Sequence, residues 1–168
     1  VFIFSWFLSF NFNLNCMNQT GFKGGNAFVS YCESEKNIDL IAIKKFLENS
    51  TNSRPIGDGL LKYCSREEEI SPDIVNLFLN SSQITGGECE QVFVEYCRNK
   101  HYVSARVVDV FLSSNKICLN HLIKKAIKEY LSNNKEIKLD VINTFLNSSK
   151  CSDLFLFYCK NCILSLDI

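Results

Sequence analysis

A tyrosine and a phenylalanine separated by 15 residues occur four times in this chain: Tyr31 and Phe46, Tyr63 and Phe78, Tyr96 and Phe111, Tyr130 and Phe145. Successive tyrosines are 32, 33 and 34 residues apart. A repeat of this length is one supersecondary unit. It is too small to bury an apolar face alone, so neighbouring copies must bury it for one another. A fifth copy begins at Leu154 to Cys159 and then breaks down.

Each copy reads as two short helices. The tyrosine lies on the first. Three residues before it stands Phe28, Leu60, Phe93 or Ile127, and the residue before that is Ala27, Gly59, Val92 or Ala126. The phenylalanine lies on the second. Ala42 and Ile43, Ile74 and Val75, Val107 and Val108, Val141 and Ile142 precede it by four and three positions, and Leu47, Leu79, Leu112 or Leu146 follows it. This is one face of a 3.6-residue period. Ile38, Ile70, Val103 and Ile137 add an apolar residue just ahead of the second helix. Asp39, Ser71 and Ser104 stand where a side-chain oxygen can cap that helix; Lys138 in the fourth copy cannot. Pro72 fits the first turn, where its missing N–H costs nothing. Each second helix runs into Asn and Ser, and Asn is suited to a left-handed terminal position.

The period, and second helices that close on FL-x-N-S, resemble ankyrin repeats. GGNAFVSYC from Gly24 to Cys32 is similar to a degraded form of that family's opening motif. KKFLENSTN from Lys44 to Asn52 is similar to its close. The resemblance covers residues 24–160. No copy keeps the Thr-Pro signature or the first-helix His, and the connection after the second helix is short for a β-hairpin finger. The period also suits tetratricopeptide-like repeats, but their Trp-Leu-Gly spacing is missing. The resemblance implies an all-α tandem helix-turn-helix solenoid of four full units and a partial fifth. It also implies protein–protein interaction without catalysis. The expected surface is the loop joining the two helices of each unit, at Glu33, Glu35 and Lys36, at Arg66, Glu67 and Glu68, at Arg98, Lys100 and His101, and at Asn133 and Lys135. These four sets differ in charge from copy to copy. The alternative is a structural fragment of a longer helical array, because Ile163 to Ile168 ends apolar without a polar cap.

Other chemistries have weaker support. Eighteen basic and 18 acidic residues give zero formal charge, which removes the electrostatic case for nucleic acid. Lys124, Lys125 and Lys128 make only a small basic face. Cys32, Cys64, Cys97 and Cys159 follow the tyrosines and read as core thiols. Stacked helices about 10 Å apart would hold them beyond the roughly 7 Å Cα reach of a disulfide. Cys118 and His121 with Cys159 and Cys162 have two-residue zinc spacings, but the pairs fall in different copies. No acid or oxyanion motif frames either histidine, so no catalytic residue, metal, cofactor or small-molecule substrate is expected. Gly24-Gly25 and Gly86-Gly87 lack any phosphate-binding continuation and read as turns.

Residues 1–22 carry no charge, and residues 1–10 are almost wholly apolar. They are expected to lie apart from a repeat domain at 23–168, either as a leader or anchor or as non-native sequence ahead of Met17. The run is half the length of a membrane-spanning helix. A cytoplasmic location is expected. A membrane-associated or secreted one would follow if residues 1–16 are a genuine leader, and a membrane contact is expected only in that case. Asn49, Asn80 and Asn147 head glycosylation sequons, which arise because the copies end in Asn-Ser.

Overall fold

The computed structural model describes residues 25–34, 37–99, 102–133 and 137–151. These residues form eight α-helices and, among them, no strand. The helices are α1 (Gly25–Ser34), α2 (Leu40–Asn49), α3 (Arg54–Cys64), α4 (Pro72–Asn80), α5 (Gly86–Arg98), α6 (Ala105–Ser113), α7 (Asn120–Asn133) and α8 (Leu139–Asn147). The chain is therefore all-α, and each sequence copy supplies one odd and one even helix. The fifth copy and residues 1–22 lie outside the described residues.

Packing skips alternate helices. α1 packs on α3, α3 on α5 and α5 on α7, while α2 packs on α4, α4 on α6 and α6 on α8. The residues between these layers form one continuous apolar cluster from Phe28 to Cys151. Phe78, Phe111 and Phe145 are buried, as are Tyr63, Tyr96 and Tyr130; Phe46 and Tyr31, at the first unit, are half-buried. Phe28 stacks on Phe46 of its own unit at 3.6 Å between ring centroids and meets Phe78 of the next at 5.9 Å. Phe93 repeats the arrangement with Phe111 at 5.0 Å and Phe145 at 6.4 Å. One odd-helix ring thus ties two units together.

Close approach within the odd layer depends on missing side chains. A Cβ on Gly59 would lie 2.6 Å from a ring carbon of Phe28, and one on Gly25 would lie 2.4 Å from Pro55. Both positions face a neighbouring odd helix, so even a methyl group would push the pair apart.

The helix ends depart from expectation in two ways. Asp39 does cap α2, accepting from the Ile41 N–H at 2.9 Å. Ser71 and Ser104 hold the N-cap position with extended backbone, but their side chains make no cap bond. Asn49, Asn80 and Asn147 are the last helical residues rather than left-handed caps. The serines that follow, Ser50, Ser81 and Ser148, are extended, as is Ser114 after α6. The hydroxyls of Ser81, Ser114 and Ser148 accept the N–H two residues on, from Gln83, Lys116 and Lys150, at 3.2–3.3 Å. That bond holds the chain extended without a left-handed residue.

Candidate interaction surface

The loops that join each odd helix to the next even helix are held by one device used four times. The Tyr31 hydroxyl accepts the Asp39 N–H at 2.9 Å, Tyr63 accepts that of Ser71 at 2.7 Å, Tyr96 that of Ser104 at 2.7 Å and Tyr130 that of Lys138 at 2.8 Å. The spacing is eight residues each time. The hydroxyl reaches the backbone N–H of the N-cap residue itself, which no intrahelical carbonyl can take. Burial pushes the Tyr63 hydroxyl up to about 12, although the Ser71 N–H pulls the other way. Burial drives Tyr96 higher still. Both are neutral phenols under ordinary conditions.

This latch ties the N-cap residue of each even helix to the same point on the odd helix in every unit, and the side chains around it differ. Glu33, in the last turn of α1, accepts from Lys62 of α3 at 2.7 Å. Arg98, at the end of α5, makes a two-pronged contact with Glu129 of α7 at 3.0 and 3.1 Å and holds Glu95 at 2.9 Å. The guanidinium holds the Glu129 carboxyl below the usual carboxylate range. The two cross-unit pairs use the same two positions with the charges exchanged. Asn133 donates to Glu129, and Asn99 donates to the Arg66 carbonyl of the preceding unit at 2.9 Å. Arg98 and Asn133 therefore sit together, and Glu33 sits with Lys62 at the other end.

Arg66 was expected to be exposed, but its side chain retains only 10% of its accessible surface. Its guanidinium lies 5.7 Å from the Tyr63 ring centroid and pairs with Glu68 at 2.9 Å. Glu67, Glu68 and Glu69 are exposed. Glu35, Lys36, Lys100, His101 and Lys135 lie outside the described residues. Tyr102 and Lys138 add a contact the sequence did not suggest: the Lys138 ammonium stands 4.4 Å from the Tyr102 ring centroid. It joins the loops of the third and fourth units.

The opposite edge carries its own ties between units. The Lys116 ammonium donates to the carbonyls of Ser81 and, at 2.8 Å, Ile84. Lys150 donates to the Ser114 carbonyl at 2.7 Å. Each cation sits at the C-terminal end of the previous unit's even helix, where orphan carbonyls favour positive charge. Glu90, the one buried charged side chain among the described residues, accepts from the Cys118 N–H at 2.8 Å and the Leu119 N–H at 2.6 Å. A carboxylate on α5 thereby caps the start of α7. Sequence reasoning missed Glu90, Lys116 and Lys150, because each acts on backbone groups of another unit.

The thiols of Cys32, Cys64 and Cys97 are buried, and burial pushes that of Cys32 up to about 12. Cys118 is exposed, and its partners in the zinc spacing, Cys159 and Cys162, lie outside the described residues. No cluster of three or more potential metal ligands occurs among the described residues. No helix among them is long and apolar enough to cross a membrane. Comparison of the chain with protein-family models, with curated proteins and with solved structures finds no match.

Proposed function

We propose that this chain is an ankyrin-like helical solenoid that binds another protein along its odd-to-even loop edge, without catalysis. The observation that carries the reading is the fourfold tyrosine latch. A stack of units that place loops at a constant pitch presents a row of side chains whose backbone does not rearrange on binding, and preorganisation of that kind lowers the ordering cost. The alternation of packing, each helix on the helix two places along, supports the stacked arrangement.

The ion pairs divide the edge by role. Arg98 and Glu33 are engaged between units, so they set the pitch of the row. Glu67, Glu68 and Glu69 are exposed, with Glu68 paired to Arg66 of the same loop and Glu69 bonded to Tyr102 of the next unit. An acidic run at the second unit, followed by a basic one from Arg98 to His101, favours a partner with a basic segment opposite the second unit. The experiment is proximity labelling in cells with the wild-type chain and with the Glu67→Lys, Glu68→Lys, Glu69→Lys variant. Thermal unfolding serves as the control for folding. The expected result is a set of labelled proteins that the variant loses while it stays folded at the temperature of labelling. Identical sets from the two chains overturn the loop-edge reading.

A further inference from the structure

Each unit turns one side toward the unit that follows it, and burial identifies that side. In the even layer it holds the residues eight before, three before and one after the phenylalanine. Ile70, Val75 and Leu79 in the second unit, and Val103, Val108 and Leu112 in the third, retain at most 4% of their accessible surface. The same positions in the fourth unit are Ile137, at 46%, and Ile142 and Leu146, both half-buried. Leu139, close by in sequence, is 71% exposed. α8 is the last even helix among the described residues, and this side of it is an apolar strip that water reaches.

The odd layer at the same end differs in kind. Gly25 of α1 faces Pro55 of α3, Gly57 of α3 faces Glu88 of α5, and Glu90 of α5 binds the backbone just ahead of α7. All three stand six residues before their tyrosines. Cys32, one after its tyrosine, comes within 3.4 Å of a Cβ built on Gly59 of α3. Cys64 and Cys97 are buried in the same way, as is Val94, two before Tyr96. In α7 these positions are Lys124, Lys128 and Leu131, and both lysines are exposed. Lys62, Arg98, Lys116 and Lys150 each reach across a unit boundary to an acceptor. Lys124 and Lys128 instead form a cationic margin beside the apolar strip. The three joints α2 on α4, α4 on α6 and α6 on α8 show what the strip accepts: a helix laid alongside. The margin selects its charge, because a helix that brought further cations there would meet repulsion.

We propose that the end of the fourth unit docks an acidic amphipathic helix of a partner protein. Its apolar residues, at helical spacing, would cover Ile137, Leu139, Ile142 and Leu146, and carboxylates along one flank would meet Lys124 and Lys128. This surface is separate from the loop edge at Glu67 to Glu69 and rests only on the stacking of units.

The test titrates the full chain with a synthetic helix of about 15 residues, long enough to hold helical structure. It carries Leu at i, i+3, i+4 and i+7 and Glu along one flank; a second peptide carries Lys in place of Glu. Fluorescence anisotropy should show the acidic helix binding about tenfold or more tightly than the basic one. Leu139→Glu should abolish binding, and Lys124→Glu with Lys128→Glu should reverse the preference. All three side chains are exposed, so thermal unfolding should change little. Absence of binding, equal binding of the two helices, or binding that Leu139→Glu leaves intact overturns the proposal. Self-association of the chain alone that Leu139→Glu removes would give the strip to a second copy, and preference for phosphatidylserine vesicles would give it to a membrane; either overturns it. Hydrogen-exchange protection of α3 and α5 reports on the stack itself, and its loss in the wild-type chain would sink the stacked reading instead.

Discussion

A hydroxyl group, rather than an aromatic ring, separates Tyr31, Tyr63, Tyr96 and Tyr130 from the other apolar positions. Three residues earlier the chain accepts Phe, Leu or Ile, because that site needs only volume. The tyrosine site needs an oxygen at the end of the ring to receive an N–H eight residues on. Periodicity alone registers both sites as core, so the latch was not legible from spacing. The signal that could have disclosed it was the invariance of Tyr against the variation at its neighbour. Tyr96→Phe keeps the ring and strands the Ser104 N–H beside a buried cluster. It should cost about 1–3 kcal/mol, the penalty for an unsatisfied buried donor. Tyr31→Phe should cost less, because Asp39 is exposed and water can replace the hydroxyl. Urea denaturation of the two variants checks the order, and equal losses would show that the hydroxyl is not the source. The candidate site divides in a similar way. The offset to the tyrosine located the loops only roughly: Glu33, Arg98 and Asn133, expected in them, are residues of the last turns of α1, α5 and α7, and the engagement of Arg66 with Tyr63 and Glu68 or of Arg98 with Glu129 was not legible. The Arg98 pair depends on which residues of adjacent units lie side by side, and the Arg66 contacts depend on how one loop folds back on its own tyrosine.

The pairing of helices turns on a few positions where the backbone must come close. Gly59 and Gly87 both lie in odd helices, and their surroundings differ. A methyl on Gly59 would meet the Phe28 ring, whereas nothing lies within 4 Å of a Cβ on Gly87. Gly59→Ala should therefore destabilise by about 1–3 kcal/mol through overpacking. Gly87→Ala should stabilise by about 0.4–1 kcal/mol, since alanine restricts the unfolded chain and fits a helix. Opposite shifts in the urea midpoint are the expected result; shifts of the same sign would mean that helix propensity, not the contact with Phe28, governs both sites. Glu90 provides a second test at this scale. Glu90→Ala leaves two backbone N–H groups at the start of α7 without their acceptor and should cost about 1–3 kcal/mol. Hydrogen exchange should localise the loss to the first turn of α7; uniform loss would show that Glu90 does not act as its cap. The existence of all eight helices was legible from the 3.6-residue period. Their ends were less so. Ser71 and Ser104 stand at the N-cap but make no side-chain cap bond, and the tyrosine of each unit takes the N-cap residue's own N–H rather than one from the first turn. At Thr85 the reciprocal bonds with Glu88 make a capping box that the repeat alignment passed over.

Across the whole molecule, the packing of each helix on the helix two places along gathers like residues of successive units into columns. The all-α class was legible because the Tyr-to-Phe spacing never varies. The ties across unit boundaries were not, since the lysines at 116 and 150 reach carbonyls 35 and 36 residues back. One consequence of the columns is that thiols and phenols accumulate in the buried layer. Cys32 and Tyr63 are each pushed up to about 12 and Cys89 to about 11, in all three cases chiefly by burial. In the unfolded chain thiols ionise near about 8.5 and phenols near about 10. Above these values the unfolded state sheds protons that the folded state still holds, so the folded state binds more protons and stability falls as pH rises. The contribution is complete below about pH 8.5 and is lost progressively as pH climbs toward the raised values. Urea midpoints measured in reducing buffer from pH 7.5 to 11 should therefore hold level and then decline from about pH 9. Tyrosinate absorbance tells the cause. The latched phenols should stay neutral until the helical signal is lost, so the two transitions should coincide. A tyrosinate signal from Tyr63 or Tyr96 that develops near pH 10 with the helices intact would show that these hydroxyls are open to water and that the latch does not hold the loops.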